Sequence, residues 1–263
     1  MLRLSLLAGA MLLASCATMP DITAAVRADL APTGKIRAGI NYGNFILAQK
    51  DKATGQSRGV AVDLVNDLGR RLGVPVEIVA YDSVAALGDA APTGTWDIAF
   101  LGSDPIREKI MSFTPAYVEL DATYLVPGAS TLRNASEADR AGMRVAAPAR
   151  ANYELFLQRS LKQAKLLSVP GNDAAFELLA TGKADALAGL TQALIAMREK
   201  LPGSRIVEGR FMAVQQSIAV PKGRDAGLAY LRSVVEDAKA SGLVGRALEK
   251  TGAKGVNVAP PAK

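Results

Sequence analysis

The chain of 263 residues contains no histidine and a single cysteine. Without histidine, serine–histidine and cysteine–histidine nucleophilic pairs and histidine-based zinc sites are excluded. Acid–base chemistry would have to use Asp, Glu, Lys or Tyr side chains. One cysteine cannot form a disulfide within the molecule, so a hydrophobic core must hold the fold together. Neither a metal nor another cofactor is expected.

Aromatic residues are also scarce, at 5% of the chain, and the basic residues form no long run. The net charge of +6 comes from lysines and arginines scattered among acidic residues. Nucleic-acid binding is not expected, because it relies on clustered positive charge and on aromatic stacking. The charge is compatible with a small anionic ligand or with solubility alone.

The first sixteen residues have the layout of a bacterial export signal. Met1–Arg3 is basic, residues 4–13 are apolar, and two small residues precede Cys16. The apolar stretch is too short to span a bilayer, and no later segment reaches the ~20 apolar residues of a transmembrane helix. Residues 13–16 resemble a lipobox, the tetrapeptide whose cysteine is lipidated and becomes the new N-terminus. The alternative is an ordinary leader with a chance cysteine.

We therefore predict a signal peptide over residues 1–15 and a lipid anchor on Cys16. Residues 16–32 are polar and alanine-rich, which predicts a tether. Residues 254–263 are predicted to form a flexible tail. Together these features predict a soluble body in the periplasm, held to a bacterial membrane by lipid.

Between the tether and the tail, strand and helix patterns alternate, which favours parallel sheets with helices on both faces. Apolar positions at helical spacing predict a helix over 60–72 that Gly73 ends. Further helices are predicted over 191–200 and near 105–110. Asn172 is predicted to be the N-cap of another.

Five segments, in this order and spacing, resemble the bacterial solute-binding proteins of polar amino-acid ABC transporters. They are Gly59–Leu64, Trp96–Phe100, Arg107 with Ser112–Tyr117, Gly182–Ala186 and Ile218–Gly223. The resemblance implies an α/β architecture, the type II periplasmic binding protein fold. In that fold two lobes, each a mostly parallel sheet flanked by helices, are joined by two crossover strands.

The resemblance implies lobe 1 at residues 33–123 plus 218–253 and lobe 2 at residues 124–217. The lobes would close about the crossovers on a small-molecule solute, which an inner-membrane ABC permease would then take up. We expect a monomer that binds its solute and catalyses no reaction.

The resemblance also implies ligand contacts. Arg107 stands at the motif position whose arginine makes a forked contact with a ligand carboxylate. The planar guanidinium can donate two parallel hydrogen bonds to the two carboxylate oxygens. Tyr42 and Phe45 lie in the loop that usually places an aromatic ring over the ligand, with packing as the alternative. Gly102 and Ser103 stand where the family offers hydroxyl or main-chain groups, and glycine leaves only the main chain.

The start of a lobe 2 helix is a further implied contact. Ala151 and Asn152 open that helix, whose free N–H groups suit an anion. Asn152 equally suits the role of a helix cap.

One position departs from the amino-acid-binding pattern. An acidic residue that pairs with the ligand's α-ammonium usually follows the Gly182–Ala186 motif, and this chain has Leu190 there. Either Asp82, Glu119 or Asp121 takes that role, or the solute has no ammonium group. We therefore expect a small carboxylate-bearing solute, either an amino acid or a related organic acid.

Two other functions remain open. Some exported proteins of this fold resemble cyclohexadienyl dehydratases, in which a carboxylate performs acid–base work. Glu119, Asp121 and Glu154 are the candidate acids, and none has a recognisable catalytic partner. A sensor's ligand-binding domain is the other alternative, and it needs a transmembrane helix and a signalling domain downstream.

Overall fold

The computed structural model describes residues 19–51, 53–253 and 255–262, so the signal peptide and Cys16 lie outside the described residues. Within them the helices are α1 Ala24–Leu30, α2 Val60–Leu72, α3 Val84–Asp89, α4 Asn152–Ser160, α5 Gly171–Ala180, α6 Thr191–Lys200, α7 Asp225–Ala240 and α8 Leu243–Glu249. The strands are β1 Ile36–Asn41, β2 Gln49–Lys50, β3 Ser57–Arg58, β4 Val76–Tyr81, β5 Ile98–Gly102, β6 Met111–Phe113, β7 Val118–Val126, β8 Arg144–Pro148, β9 Lys165–Val169, β10 Ala186–Leu190, β11 Arg205–Ile206, β12 Met212–Pro221 and β13 Val256–Val258.

The main sheet runs in the order β4-β1-β5-β12-β7-β10-β8-β9. Strands β4, β1 and β5 are parallel and form lobe 1, and strands β9, β8 and β10 are parallel and form lobe 2. Helices flank both sets of strands. The largest hydrophobic cluster runs through both sets of strands, from Ile36 and Leu64 to Val145 and Leu157.

Two long antiparallel strands join the lobes. Strand β12 pairs with β7 through residues 212–216 and with β5 through residues 216–219. Strand β7 pairs with β12 through residues 118–122 and continues onto β10 through residues 122–125. Each strand therefore starts in one lobe and ends in the other. The predicted two-lobed fold with two crossover strands is confirmed.

Helix α2 has the bounds that its sequence predicts. Val65, Leu68 and Leu72 are buried along one face, and Gly73 ends the helix with a φ of 64°. Gly59 precedes the helix, and a β-carbon built there would be 2.4 Å from the Leu47 carbonyl oxygen. The close approach of these two backbones therefore requires glycine.

Each lobe contains the same arginine–aspartate pair between neighbouring strands. In lobe 1, Arg37 Nη2 is 2.6 Å from Asp97 Oδ1, and in lobe 2 Arg144 Nη2 is 2.7 Å from Asp185 Oδ1. Each aspartate also accepts the main-chain N–H of its arginine. Hydrogen bonding to Arg144 lowers the pKa of Asp185. Asp97 and Asp185 both belong to segments of the family resemblance, and the structure gives them a shared role in joining strands.

The prediction of a tether over residues 16–32 is wrong for its second half, which forms α1. Val26 and Leu30 of this helix are buried against α7. Asp29 accepts a hydrogen bond from the main-chain N–H of Gly227 at 2.8 Å, and the Arg27 side chain donates to the Leu72 carbonyl. Tertiary packing therefore orders a segment whose composition is typical of a linker.

The prediction of a flexible tail over residues 254–263 is also wrong for the described residues. Val256 and Val258 pair with Leu120 and Val118 of the crossover strand β7. The Pro260 carbonyl accepts a hydrogen bond from Lys239 Nζ at 2.8 Å. The end of the chain thus covers an edge of a crossover strand.

Two local predictions are also corrected. The segment near 105–110 forms only a short 3₁₀ turn, Arg107–Lys109, because the Arg107 side chain points into the protein while Ile106 and Ile110 stay exposed. Asn172 is not an N-cap, since Pro170 holds that place and α5 starts at Gly171. Within the described part of the chain, no helix has the length and apolar character needed to cross a membrane.

Candidate functional site

A cavity of about 500 Å³ lies where the strand ends of the two lobes face each other. Asn41 and Gly102 end β1 and β5 in lobe 1, and Pro148 and Leu190 end β8 and β10 in lobe 2. All four residues line the cavity. It therefore lies outside the carboxyl ends of the parallel strands, which is where open α/β sheets bind ligands.

The cavity wall is largely apolar, with Phe45, Phe100 and Val214 among its residues. Its polar side chains include those of Asn41, Asn44, Asp82, Ser83, Asn172 and Gln216. Among the described residues, Asp82 is the only carboxylate in the wall, and no lysine or arginine is part of it. Apolar walls with a few placed polar groups are typical of small-molecule sites.

Helices begin at the cavity from both lobes. Val84, Asn152 and Gly171 are the first residues of α3, α4 and α5, and Gln192 lies in the first turn of α6. Each of these residues lines the cavity. The first N–H groups of a helix have no partner within it and carry partial positive charge, so this wall favours a negatively charged ligand group.

Arg107 lies directly behind the cavity wall and connects the two lobes. Its guanidinium donates to the Gly102 carbonyl of lobe 1 at 2.7 Å and to the Arg150 carbonyl of lobe 2 at 2.7 Å. It also donates to Asn152 Oδ1 at 2.5 Å. Only 6% of the residue is exposed. Burial lowers the pKa of Arg107 to about 10, and this value keeps the side chain charged at neutral pH.

Asn152 connects α4 to the other lobe. Its Nδ2 donates to the Ser103 carbonyl at 2.8 Å, while its Oδ1 accepts from Arg107. The interpretation of Asn152 as a helix cap is wrong, because Ala151 is the N-cap and no side chain caps the helix. The amide oxygen of Asn152 occupies a position on Arg107 that a carboxylate oxygen could take.

Glu154 holds the main chain of Arg150, whose carbonyl accepts the hydrogen bond from Arg107. Its side chain is fully buried and accepts hydrogen bonds from the Arg150 N–H at 2.8 Å and from Gln158 Nε2 at 2.6 Å. Ser168 Oγ donates to the same carboxylate. Arg150 has a φ of 64°, a left-handed conformation that is uncommon outside glycine. Glu154 thereby fixes the carbonyl that accepts from Arg107.

Ion pairs also connect the lobes at the rim of the cleft. Arg159 of α4 lies 2.8 Å from Asp104, which follows β5, and the Asp104 side chain is only 1% exposed. Arg150 pairs with Asp89 at the end of α3. These two ion pairs therefore join the lobes across the cleft.

The structure distributes the predicted site residues over three positions. Phe45, Gly102, Ala151 and Asn152 line the cavity. Arg107 and Ser103 lie behind its wall through their bonds to Asn152. Tyr42 and Asp121 are not part of the wall: the Tyr42 hydroxyl bonds Ser57, and Asp121 pairs with Arg210 at 2.6 Å.

The candidate catalytic acids do not meet at the cavity. Glu119 accepts a hydrogen bond from Gln215 Nε2 at 2.9 Å, and Asp121 and Glu154 have the partners described above. None of the three lines the cavity. Over the described residues, no cluster of three or more acidic, cysteine or histidine side chains is suited to a metal ion.

Sequence reasoning missed several residues of the wall. Asn41 and Asn172 lie at or just after a strand end, so the rule that ligands bind there could have identified them. Gln216 interrupts the apolar part of strand β12. A polar amide within a buried strand is the sequence feature that could have identified it as a site residue. It has no counterpart in the motifs that carry the family resemblance.

Residues 36–253 match the bacterial extracellular solute-binding proteins, family 3, and the chain belongs to this family. The fold and the position of the cavity agree with that membership. A comparison with curated proteins finds no matching sequence.

Solved structures of similar fold include binding proteins for amino acids. An arginine-binding protein variant from T. maritima is 23% identical, with 86% of this chain and 98% of that one covered and a TM-score of 0.70. The substrate-binding protein AbpA of an amino acid ABC transporter from Streptococcus pneumoniae, bound to L-arginine, is 19% identical, with coverage of 84% and 95% and a TM-score of 0.70. The ancestral amino acid-binding protein AncCDT-1, a precursor of cyclohexadienyl dehydratase, is 26% identical, with coverage of 84% and 97% and a TM-score of 0.69.

Proposed function

We propose that this protein is the substrate-binding lipoprotein of an ABC importer and captures a small carboxylate-bearing solute in the cleft between its lobes. The solute is an amino acid or a related organic acid. The observation that carries the proposal is Arg107, a buried cation that joins both lobes directly behind the cavity wall.

The ligand carboxylate takes the place of the Asn152 amide oxygen on Arg107. An arginine–carboxylate contact is charge-assisted and worth about 1.5–3 kcal/mol, more than a bond to a neutral amide. The first N–H groups of α4 lie at the same end of the cavity and favour the same negative charge. Released from Arg107, the Asn152 side chain remains free to bond the ligand.

Closure about the crossover strands couples the lobes to the ligand. We propose residues 33–123 plus 218–253 and residues 124–217 as the two moving bodies, with the paired segments of β7 and β12 as the hinge. In the closed form the protein, acting as a monomer, would present the solute to the inner-membrane permease. It binds without turnover, since the candidate acids Glu119, Asp121 and Glu154 lie outside the cavity wall.

The decisive experiment is a thermal-shift screen of the purified protein against amino acids, hydroxy acids and other small carboxylates. A ligand that binds only the folded protein raises its melting temperature. Arg107→Ala should abolish that rise, and Arg107→Lys should reduce it because lysine keeps the charge without the fork.

Arg58→Ala is the matched control, because Arg58 is an exposed arginine away from the cavity. Its ligand-induced shift should equal that of the unaltered protein. An undiminished shift in Arg107→Ala would refute the carboxylate role of Arg107.

The lipid anchor is proposed from the segment before Cys16, which has the form of a lipoprotein signal. Several acyl chains on one residue would hold the protein at the periplasmic face of a bacterial membrane. Cys16→Ser should move the protein from the membrane fraction to the soluble fraction of cells. A protein that stays in the membrane fraction after this substitution is anchored in another way.

A further inference from the structure

Gln216 carries a buried hydrogen-bonding group that none of the described residues satisfies. The residue lines the cavity and is 5% exposed. Its Oε1 is buried and has no hydrogen-bond partner among the described residues. Buried side-chain acceptors are almost always satisfied in folded proteins, so one at a cavity wall indicates a ligand group that bonds it. The final torsion of glutamine is broad, which allows the amide to turn toward the cavity.

The position of Gln216 places this acceptor at the carboxylate end of the cavity. In the sheet Gln216 pairs with Gly102, whose carbonyl accepts from Arg107. Helix α4, which starts at Asn152, packs against the same strand β12. A ligand carboxylate on Arg107 therefore brings the neighbouring carbon of the ligand close to the Gln216 amide.

Apart from Arg107, the side chains beside that position are uncharged. Leu190 lines the cavity, and Glu119 lies on the opposite face of the hinge, where it bonds Gln215. Asp82 follows β4, and strand β1 lies between β4 and β5, so Asp82 is two strand spacings, roughly 9–10 Å, from Gly102. An ammonium on the carbon next to the carboxylate would lie nearer to Gln216 than to Asp82, and burying it without an adjacent counter-charge is costly.

We infer that Gln216 accepts a hydrogen bond from a neutral donor on the carbon next to the ligand carboxylate, so that the protein prefers 2-hydroxy acids over the corresponding 2-amino acids. This inference rests on the proposed function, because it takes the carboxylate to lie on Arg107. A site that bonds a ligand hydroxyl also rejects the analogue that lacks it, since the amide is then left unpaired.

The test compares pairs of ligands that differ only at this group. Dissociation constants for the purified full-length protein are measured calorimetrically with L-lactate and L-alanine, L-2-hydroxyisocaproate and L-leucine, L-phenyllactate and L-phenylalanine, and L-malate and L-aspartate. In the pair whose side chain fits best, the hydroxy acid should bind at least about tenfold more tightly, a difference of ~1.4 kcal/mol. The matching acid with neither group should bind less tightly than the hydroxy acid.

Substitutions at Gln216 should change this ratio. Gln216→Leu removes the acceptor and should abolish the preference for the hydroxyl, while Gln216→Glu supplies a counter-charge and should favour the amino acid. Gln215→Leu is the control, because Gln215 is its neighbour on the opposite face of β12 and should leave the ratio unchanged.

The outcomes separate this inference from the function on which it rests. Tighter binding of the amino acid by the unaltered protein, or an unchanged ratio in Gln216→Leu, overturns the role of Gln216 while the carboxylate site stands. Failure of every acid in both series to bind overturns the proposed function and this inference together.

Discussion

Gly102 lies against the side chain of Asn152 across the cleft. A β-carbon built on Gly102 would be 2.5 Å from Asn152 Oδ1 and 2.7 Å from its Nδ2, far inside normal contact distance. The absence of a side chain at this residue therefore allows α4 to approach β5. The same absence leaves the Gly102 carbonyl open to Arg107.

Replacing Gly102 with alanine should prevent full closure of the cleft. The new methyl group would keep α4 and its Asn152 side chain away from β5, so the lobes could not close fully on a ligand. Ligand affinity should therefore fall by about tenfold or more, ~1.4 kcal/mol. Calorimetric titration of the variant measures the loss.

Gly88→Ala provides the control, because a β-carbon at Gly88 has open space and alanine favours the helix there. It should bind ligand as the unaltered protein does. Equal affinity in Gly102→Ala and Gly88→Ala would contradict the steric role of Gly102.

Individual site residues were predictable where a motif supplies their chemistry. Arg107 stands in a recognisable segment that predicts a contact with a ligand carboxylate. The structure places its guanidinium behind the cavity wall, where it bonds both lobes, and the carboxylate contact stays a prediction. Gln216 was not predictable, because the alternation of a strand tells which residues share a face and not which face borders a cleft. Tyr42 was predicted to contact the ligand, but its side chain lies on the other face of the chain, and its neighbours Asn41 and Gly43 line the cavity instead.

At the scale of elements, the paired strands β8 and β10 are joined by Arg144 and Asp185. The Asp185 carboxylate accepts hydrogen bonds from both the guanidinium and the main-chain N–H of Arg144. A half-exposed pair of this kind makes a small contribution to stability, because solvent screens the two charges.

Asp185→Asn should therefore lower the melting temperature at pH 7 by about 2–4 °C. The pKa of Asp185 is lowered in the folded protein, so its contribution is complete above the unfolded pKa of about 3.9 and disappears as the pH falls through the folded value. The difference between variant and unaltered protein should shrink accordingly in acid. Thermal unfolding between pH 7 and pH 2.5 measures it.

Asp21→Asn is the control for that series, because Asp21 is exposed and forms no ion pair among the described residues. It should leave the melting temperature unchanged at every pH. A melting difference for Asp185→Asn that stays constant down to pH 2.5 would argue against the ionic contribution.

Elements with strong local signals were predictable, and elements stabilised by distant contacts were not. Helices α2 and α6 have the predicted bounds. In α2 the reason is local, since its apolar residues recur at helical spacing and Gly73 ends it. Helix α1 depends on the burial of Leu30 against α7, and β13 depends on pairing with β7. Such short elements are marginal alone, so their own residues do not predict them.

At the scale of the whole molecule, the ion pair of Arg159 with Asp104 crosses between the lobes. Removing Arg159 takes away the ion-pair partner of the buried Asp104 carboxylate as long as the lobes stay together, and among the described residues only the hydrogen bond from the Ile106 N–H remains. Opening the cleft lets water reach that carboxylate, so the closed form alone bears the cost.

Arg159→Ala should therefore shift the ligand-free protein toward an open form. Small-angle scattering should show a larger radius of gyration, and ligand should dissociate about tenfold faster, ~1.4 kcal/mol. Arg58→Ala, which removes an exposed arginine within one lobe, should change neither quantity. A scattering curve for Arg159→Ala that matches the unaltered protein would mean that this pair does not hold the cleft closed.

The path of the chain through the sheet has a consequence for folding. Gly102 of β5 pairs with Gln216 of β12, and all of lobe 2 is made from the residues between these two strands. Lobe 1 therefore cannot complete its sheet until the second crossover strand has emerged, whereas lobe 2 is continuous. Contacts so distant in sequence form slowly. A chain that delays its own folding in this way remains extended for longer, which is consistent with the export signal proposed above, because an exported chain can cross a membrane unfolded.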